Sequence, residues 1–474
     1  MHKISDQKKE LVKKCAALFA AVLTILACIL PMGELPLWNG EEPGHRNQYE
    51  LMAEAILDGR IDFAYGDEGE LAKLENPYDP VERTQAEVVF HWDHAYYDGH
   101  YYMYFGIVPV FLAFLPYRII TGASLTTFHA TQLFTAAIIA GIFTLFWMLS
   151  RRFFSRLHFG LYLMIAAAFS VMSVWYAAAE PALYCTAITA AIALEVWSLY
   201  FFIRAVYVEE RENRQIVLAG VGALLGALVF GCRPPVALAN VMVLPMLIVF
   251  LKEHTLTKKL LGKLALAAMP YLLVAVALMI YNYVRFDDPF EFGQTYQLTV
   301  ADQTNYSFTI DAEQLLRIRE GITEQFCDYQ IGEKSFPYVR VNGVFMNFPA
   351  LLVSIAAIFP TVTISKKHAK LRPLVTGLFI AAIIITVMDV IWTPYLLERY
   401  RMDIYFLLGI CTYLILGVGY EDSKNSKLLF AMIAGLSVVT VVFSFLLYVR
   451  TVGLYYPDKV EDIARYIDII GMLR

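Results

Sequence analysis

The sequence predicts an all-α polytopic membrane protein with about eleven (10–13) transmembrane helices and with juxtamembrane helices and loops on the extracytoplasmic side. Three observations carry that expectation. Hydrophobic residues make up 58% of the 474-residue chain. Its mean hydropathy is +0.55, outside the range of ordinary soluble proteins. Apolar runs of about 17–25 residues recur along it, the length that crosses a bilayer core as helix.

The first span is expected near 14–33. Lys8, Lys9, Lys13 and Lys14 lead into it, as in a signal peptide, and Ile25-Leu26-Ala27-Cys28 has the look of a weak lipoprotein cleavage site. The apolar run continues past Cys28 without a small-residue cleavage site, so it reads as an uncleaved span with a cytoplasmic N-terminus. Further spans are expected near 127–150, 158–178, 181–206, 215–231, 236–251, 262–284, 342–363, 371–393, 401–420 and 427–449. Residues 104–120 are barely long enough to cross and contain Pro109 and Pro116. Counting them as a span would put Arg151, Arg152 and Arg156 outside, so they are expected to be juxtamembrane or re-entrant, a twelfth span being the alternative.

Basic residues set the expected orientation. Arg151, Arg152 and Arg156, Arg211 and Arg214, Lys252, Lys258 and Lys259, Lys366, Lys367 and Lys370, and Lys424 and Lys427 fall in alternate loops, which are placed inside. The outer loops are then 34–126, the Glu180-Pro181 corner, the Arg233-Pro234-Pro235 corner, 285–341 and Pro394 to Arg401. This divides the chain into an N-terminal transmembrane core, 1–284, that includes the candidate catalytic loop 34–126; an extracytoplasmic loop, 285–341; and C-terminal spans with an outer tail, 342–474.

Several function classes are excluded. The net charge is −5 and the basic residues sit in short inter-span loops, so no nucleic acid is expected as a partner. The six cysteines (Cys15, Cys28, Cys185, Cys232, Cys327 and Cys411) form no C-x-x-C pair, which argues against a disulfide framework or a cysteine metal site. No Walker, G-x-G-x-x-G, G-x-S-x-G or H-E-x-x-H pattern occurs.

The densest polar chemistry lies between Val89 and Gly106, where His91, Asp93, His94, Asp98, His100 and Tyr102 stand among further aromatics. Such a run offers acid/base groups and flat faces for sugars, or else forms an aromatic interface belt with incidental charges. Asp93 is the candidate general base; His91, Asp93 and His94 are also candidate ligands for a divalent metal ion. Glu41 and Glu42 stand where the chain leaves the first span, as a second pair of acids for a base or ligand role. Tyr49, Met52, Ala53, Ile56 and Leu57 recur at helical spacing, predicting a surface helix that stops at Asp58-Gly59. Arg233, Arg399 and Arg401 sit at outer ends of spans, where a guanidinium can grip a lipid phosphate; pairing with Glu398 or Asp403 is the structural alternative. His91, Asp98, Tyr102, Glu180 and Asp403 are candidates for contacts to the rest of a substrate. Glu195 and Asp389 are lone acids within spans and weigh less than the clusters.

The order of these features resembles the C superfamily of integral-membrane glycosyltransferases, the group of protein O-mannosyltransferases and lipid A aminoarabinose transferases. The likeness rests on one span leading to a large outer loop with early acids (Glu41, Glu42), on the helix with Tyr49 closed by Asp58-Gly59, on Asp93 before the Tyr-Tyr-Asp-Gly-His-Tyr-Tyr run, and on a late span entrance with Arg399, Arg401 and Asp403. Glu70-Leu71 through Asn76-Pro77-Tyr78-Asp79-Pro80, the Asp93 to Gly122 stretch and Arg285-Phe286 to Tyr296 are similar to a bacterial branch of that group. Two departures stand out: the superfamily usually has aspartate where this chain has Glu41-Glu42, and the spacing to Tyr49 is longer than in the aminoarabinose transferases. Which acid is the base therefore stays open. The resemblance implies a multi-pass protein of a bacterial plasma membrane that takes sugar from a polyprenyl-phosphate donor and passes it to a saccharide, lipid or protein acceptor at the outer face. Two other classes remain: a transporter or flippase of lipid-linked saccharide, which would favour repeats with charges at the midplane, and a non-catalytic membrane protein.

Overall fold

A computed structural model of the chain describes residues 2–31, 48–66, 68–305, 311–334, 336–393, 396–455, 457, 458 and 461. Glu41 and Glu42 lie outside the described residues. In chain order, α1 (His2–Ile29) is followed by the short helix α2 (Gln48–Leu57), the hairpin strands β1 (His94–Tyr97) and β2 (His100–Met103), and a short apolar helix α3 (Val110–Thr121). Then come α4 (Thr127–Phe153), α5 (Phe159–Ala179), α6 (Leu183–Tyr207), α7 (Glu212–Phe230), α8 (Pro234–Glu253) and α9 (Lys258–Phe286). The amphipathic helix α10 (Ala312–Cys327), α11 (Lys366–Trp392), α12 (Glu398–Asp422) and α13 (Ser426–Tyr455) complete the set. Ten of these, α1, α4 to α9 and α11 to α13, are the described helices long and apolar enough to cross a membrane. The protein is thus an all-α multi-pass membrane protein.

The expected span near 342–363 is broken. It consists of Val344–Asn347, a 3-10 stretch over Pro349–Ile358 and a last turn over Pro360–Thr363. Pro349 and Pro360 each lack an N–H and restart the helix at its first position. The segment still runs the length of α11. At one end Gly343 donates to the Asp328 carbonyl (2.8 Å), just after α10, whose Arg317 reaches the Thr393 carbonyl (2.9 Å) beyond the last turn of α11. At the other end Arg372, near the start of α11, donates to the Ile364 carbonyl (2.8 Å).

All the basic loops gather at one end of the bundle. Arg151 meets Glu10 (3.2 Å), Arg152 donates to the Tyr207 carbonyl (2.9 Å), Lys367 meets Glu421 (3.2 Å), Lys263 pairs with Glu212, and Lys370 pairs with Glu253. The hairpin, α2, α3 and α10 occupy the opposite end. α3 does not cross: Val108, before it, donates to the Gly231 carbonyl (2.9 Å) at the end of α7, and Arg118, near its C-terminus, meets Glu54 of α2 (3.5 Å). A glycine is required at 106, because a Cβ there would lie 2.2 Å from the Gly231 carbonyl oxygen. α12 is the most enclosed of the long helices, buried on every side as its all-round apolar sequence requires. α1, α9 and α13 are the least enclosed and turn apolar side chains outward, as lipid contact demands.

If the basic end is cytoplasmic, a cysteine at Thr304 should react with an impermeant maleimide on intact cells, and one at Lys424 only after permeabilisation. Both positions are exposed, and the exposed Cys15 and Cys327 would first be changed to serine. Labelling of position 424 from outside would reverse the orientation.

Candidate functional site

The site is built on the hairpin. Asp98 and Gly99 both have positive φ (+49° and +80°), the conformation of a two-residue turn that matches strand twist. β1 and β2 pair from His94 with Met103 to Tyr97 with His100. Phe63 donates to the Tyr101 carbonyl (2.9 Å) on one edge. On the other edge lies the start of the 285–341 loop: Asp93 donates to the Leu298 carbonyl (2.9 Å), Leu298 to the His94 carbonyl (2.9 Å), and Tyr96 to the Tyr296 carbonyl (3.0 Å). The two long loops are therefore one structure. Asp93 itself has a φ of +56°, a strained conformation for a non-glycine residue that must be held by its surroundings. Gln48, at the start of α2, helps to hold it by donating to the Asp93 carbonyl (2.9 Å) while accepting from the Tyr104 N–H (3.3 Å).

The Asp93 carboxylate is buried and accepts hydrogen bonds from the Tyr184 hydroxyl and from Gln297 Nε2 (2.8 Å). Burial raises its pKa above the ordinary aspartate value; the bonds from Tyr184 and Gln297, the Arg399 charge and a bond from Thr299 work the other way. Asp93 lines a cavity of about 290 Å³ together with Tyr184, Arg233, Arg285, Asp389 and Arg399. Ile107, Ile188, Phe230, Leu278 and Val300 supply an apolar part of the wall.

The arginines divide into two kinds. Arg233 is held by Asp403, through Nε (2.8 Å) and Nη2 (2.6 Å), with Asp389 3.7 Å away, so two of its three nitrogens face acids. Among the described residues Arg399 makes no ion pair. Glu398 is taken by Arg450 (2.6 Å) and Asp403 by Arg233, while the Arg399 guanidinium lies over the Tyr184 ring at 4.1 Å. Arg285, in the last turn of α9, is likewise without a carboxylate among the described residues. It donates to the Met103 carbonyl (2.8 Å) and to Asn282 Oδ1 (2.8 Å) and lies 3.9 Å from the Tyr281 ring centre; its Nε is buried without a partner. Sequence reasoning passed over Arg285 because it stands at the end of an apolar run, like an interface anchor.

The remaining expected site residues lie elsewhere. Arg401 is buried near Glu324 and does not line the cavity. Asp98 forms the exposed hairpin turn, Tyr102 packs edge-on against Phe286 (5.4 Å), and Glu180 ends α5; none lines the cavity. The expected metal ligands do not converge. His91 stacks on Tyr65 at 3.6 Å. His94 is held by burial at a pKa of about 4 and is neutral at pH 7; Nδ1 donates to the Trp92 carbonyl (2.9 Å) and Nε2 accepts from the Tyr65 hydroxyl (2.7 Å). The one in-plane lone pair of neutral His94 is taken by the Tyr65 hydroxyl, and among the described residues no three His, Cys, Asp or Glu side chains gather as a metal set.

No protein-family model matches the chain, and no curated protein matches it in sequence. A solved structure with a related backbone is the crystal structure of the Archaeoglobus fulgidus oligosaccharyltransferase in the apo form, at a TM-score of 0.47 and 12% identity. The alignment covers 91% of this chain but 55% of that one, so the chain spans about half the length of that protein. A likeness of this degree assigns no role to any residue here.

The two kinds of arginine predict different losses. Asp403→Asn leaves the half-buried Arg233 short of its main partner, a loss of up to about 3–5 kcal/mol, and should lower Tm and the monodisperse yield in detergent. Arg399→Ala breaks no ion pair and should leave both within error. Equal Tm for the two variants would contradict this division.

Proposed function

We propose that the chain is an integral-membrane glycosyltransferase that moves a sugar from a polyprenyl-phosphate donor to an acceptor hydroxyl at the extracytoplasmic face. One observation carries this reading: a buried carboxylate, Asp93, and two guanidiniums without acid partners, Arg285 and Arg399, line a single cavity at the end of the bundle away from the basic loops. Together they supply what the reaction needs. Asp93 takes the proton of the acceptor hydroxyl as its oxygen attacks the anomeric carbon. The bond from that carbon to the phosphate oxygen breaks, and the lipid phosphate leaves with the electron pair. Arg399 and Arg285 offset the charge that grows on the leaving group. A raised carboxylate pKa makes Asp93 a stronger base, and the apolar wall suits the first isoprene units of the lipid. Arg233 is largely spent on Asp403 and sets the wall rather than meeting the phosphate.

Asp93→Asn cannot accept the proton and should lower transfer by roughly 10²-fold or more, with expression intact, in an assay of polyprenyl phosphate release from a labelled donor. Near-normal turnover would remove Asp93 as the base. Arg399→Ala should weaken donor binding or the transfer rate by roughly tenfold or more, and Arg399→Lys should recover only part, because lysine keeps the charge and loses the planar fork.

The pH profile gives an independent check. Asp93 works deprotonated, so the rate falls as pH drops through its raised pKa. The Tyr184 hydrogen bond lowers that pKa. Tyr184→Phe should therefore move the acid limb of kcat/KM to higher pH, and Gln297→Leu should do the same. An acid limb that stays in place in both variants belongs to another group.

A further inference from the structure

The cavity holds more polar chemistry than proton transfer and phosphate binding use. Asp389, near the end of α11, is 1% exposed. Its Oδ1 lies 3.7 Å from Arg233 Nη2, too far for a hydrogen bond, because Asp403 has already engaged that guanidinium at 2.6 and 2.8 Å. Its Oδ2 is buried with no hydrogen-bond partner among the described residues. Gln303 is 7% exposed and its Oε1 is likewise without a partner. Gln294 is anchored through Nε2 to the Trp392 carbonyl (2.9 Å), three residues after Asp389, and its Oε1 also lacks a donor. All three residues line the cavity that contains Asp93.

The two glutamine oxygens are acceptors, and the Asp389 carboxyl accepts when ionised and can also donate when protonated. Buried acceptors are costly unless a donor reaches them. A phosphate cannot fill them, since it brings only acceptors and negative charge, and a hydrocarbon chain brings nothing. The matching chemistry is a group rich in hydroxyls. Arg285 and Arg399, which meet no acid among the described residues, line the same cavity and ask for the opposite, an anion. A ligand that joins a phosphate to a polyhydroxylated ring satisfies both sets at once.

We infer that Asp389, Gln294 and Gln303 form the sugar-recognition wall of the cavity, accepting hydrogen bonds from hydroxyls of the donor's sugar and so setting which sugar is taken. This rests on the reading of the cavity as a donor site. The wall is specific to sugar: it contributes to the affinity for the glycosylated lipid and nothing to that for the bare lipid phosphate.

The experiment measures binding by the full-length protein in nanodiscs of polyprenyl phosphate and of its glucosyl, mannosyl and N-acetylglucosaminyl derivatives. The wild type should bind at least one glycosylated lipid more tightly than bare polyprenyl phosphate. Asp389→Asn and Gln303→Leu should each weaken that glycosylated lipid by roughly tenfold, with affinity for the bare lipid unchanged. Gln303→Leu keeps the test decisive if Asp389→Asn fails to fold, because Gln303 touches none of the ion pairs. Equal losses for both lipids, no loss in a folded variant, or an effect confined to the acceptor's KM would each overturn the assignment. If the bare lipid binds, needs Arg399, and gains nothing from any of the three sugars, the wall alone is wrong. If the bare lipid does not bind, or binds equally to Arg399→Ala, the donor reading fails and the wall falls with it.

Discussion

The backbone pairing of Tyr296 to Leu298 along the edge of the hairpin strand His94–Tyr97 holds the site together. It joins loops that leave the bundle from different helices, and it places Gln297 against Asp93 across 204 residues of sequence. The bonds also satisfy backbone groups that lie buried between the loops, where an unpaired N–H or carbonyl would be costly. With the edge in place, Asp93 can be held at positive φ and its carboxylate turned toward Tyr184 rather than toward solvent. The strain at that residue is offset by the N–H bond to Leu298 and the carbonyl bond from Gln48, both made by segments outside the hairpin.

Charge in the cavity follows from which acids are already taken. A guanidinium bound to a buried carboxylate is nearly neutral to a ligand, and its removal is felt mainly as lost stability. Arg233 with Asp403 is of this kind. Arg399 is not, because Arg450 reaches back from α13 to take Glu398 and leaves its neighbour unpaired. Arg285 is buried among neutral oxygens and aromatic rings. A buried cation without a counter-ion is expensive unless something else brings the negative charge. The acceptors on Asp389, Gln294 and Gln303 have the mirror-image need. The cavity is thus polarised between groups awaiting an anion and groups awaiting hydrogen-bond donors, and this polarity argues for a two-part ligand more strongly than any single residue does.

Much of this was legible in the linear chain. The spans were, because crossing a bilayer needs a run of apolar residues and nothing else. The common side of the basic loops was, because charge cannot be hidden within a span. Asp93 stood out because its segment concentrates polar groups that no apolar environment would tolerate unpaired. The break at 349–360 is written in its two prolines, although a hydropathy profile reads only apolar length there.

Legible in the linear chain were a multi-pass helical bundle, the end that carries the polar chemistry, and Asp93 as a candidate acid beside Glu41 and Glu42. Packing in three dimensions set which groups face Asp93 or share its cavity. Tyr184 opens an apolar helix and reads as an interface aromatic; Gln297 is one polar residue in a polar loop; Asp389 is a lone acid in a span; Arg285 ends one. Arg233 and Arg399 have the same chemistry and similar positions at helix ends, yet one is spent and the other is not. The physical reason is that ion pairing and desolvation depend on distances of a few ångströms between residues as far apart in the chain as Arg233 and Asp403, which are separated by 170 positions. Local composition places a charge near the membrane surface; only packing sets what it faces.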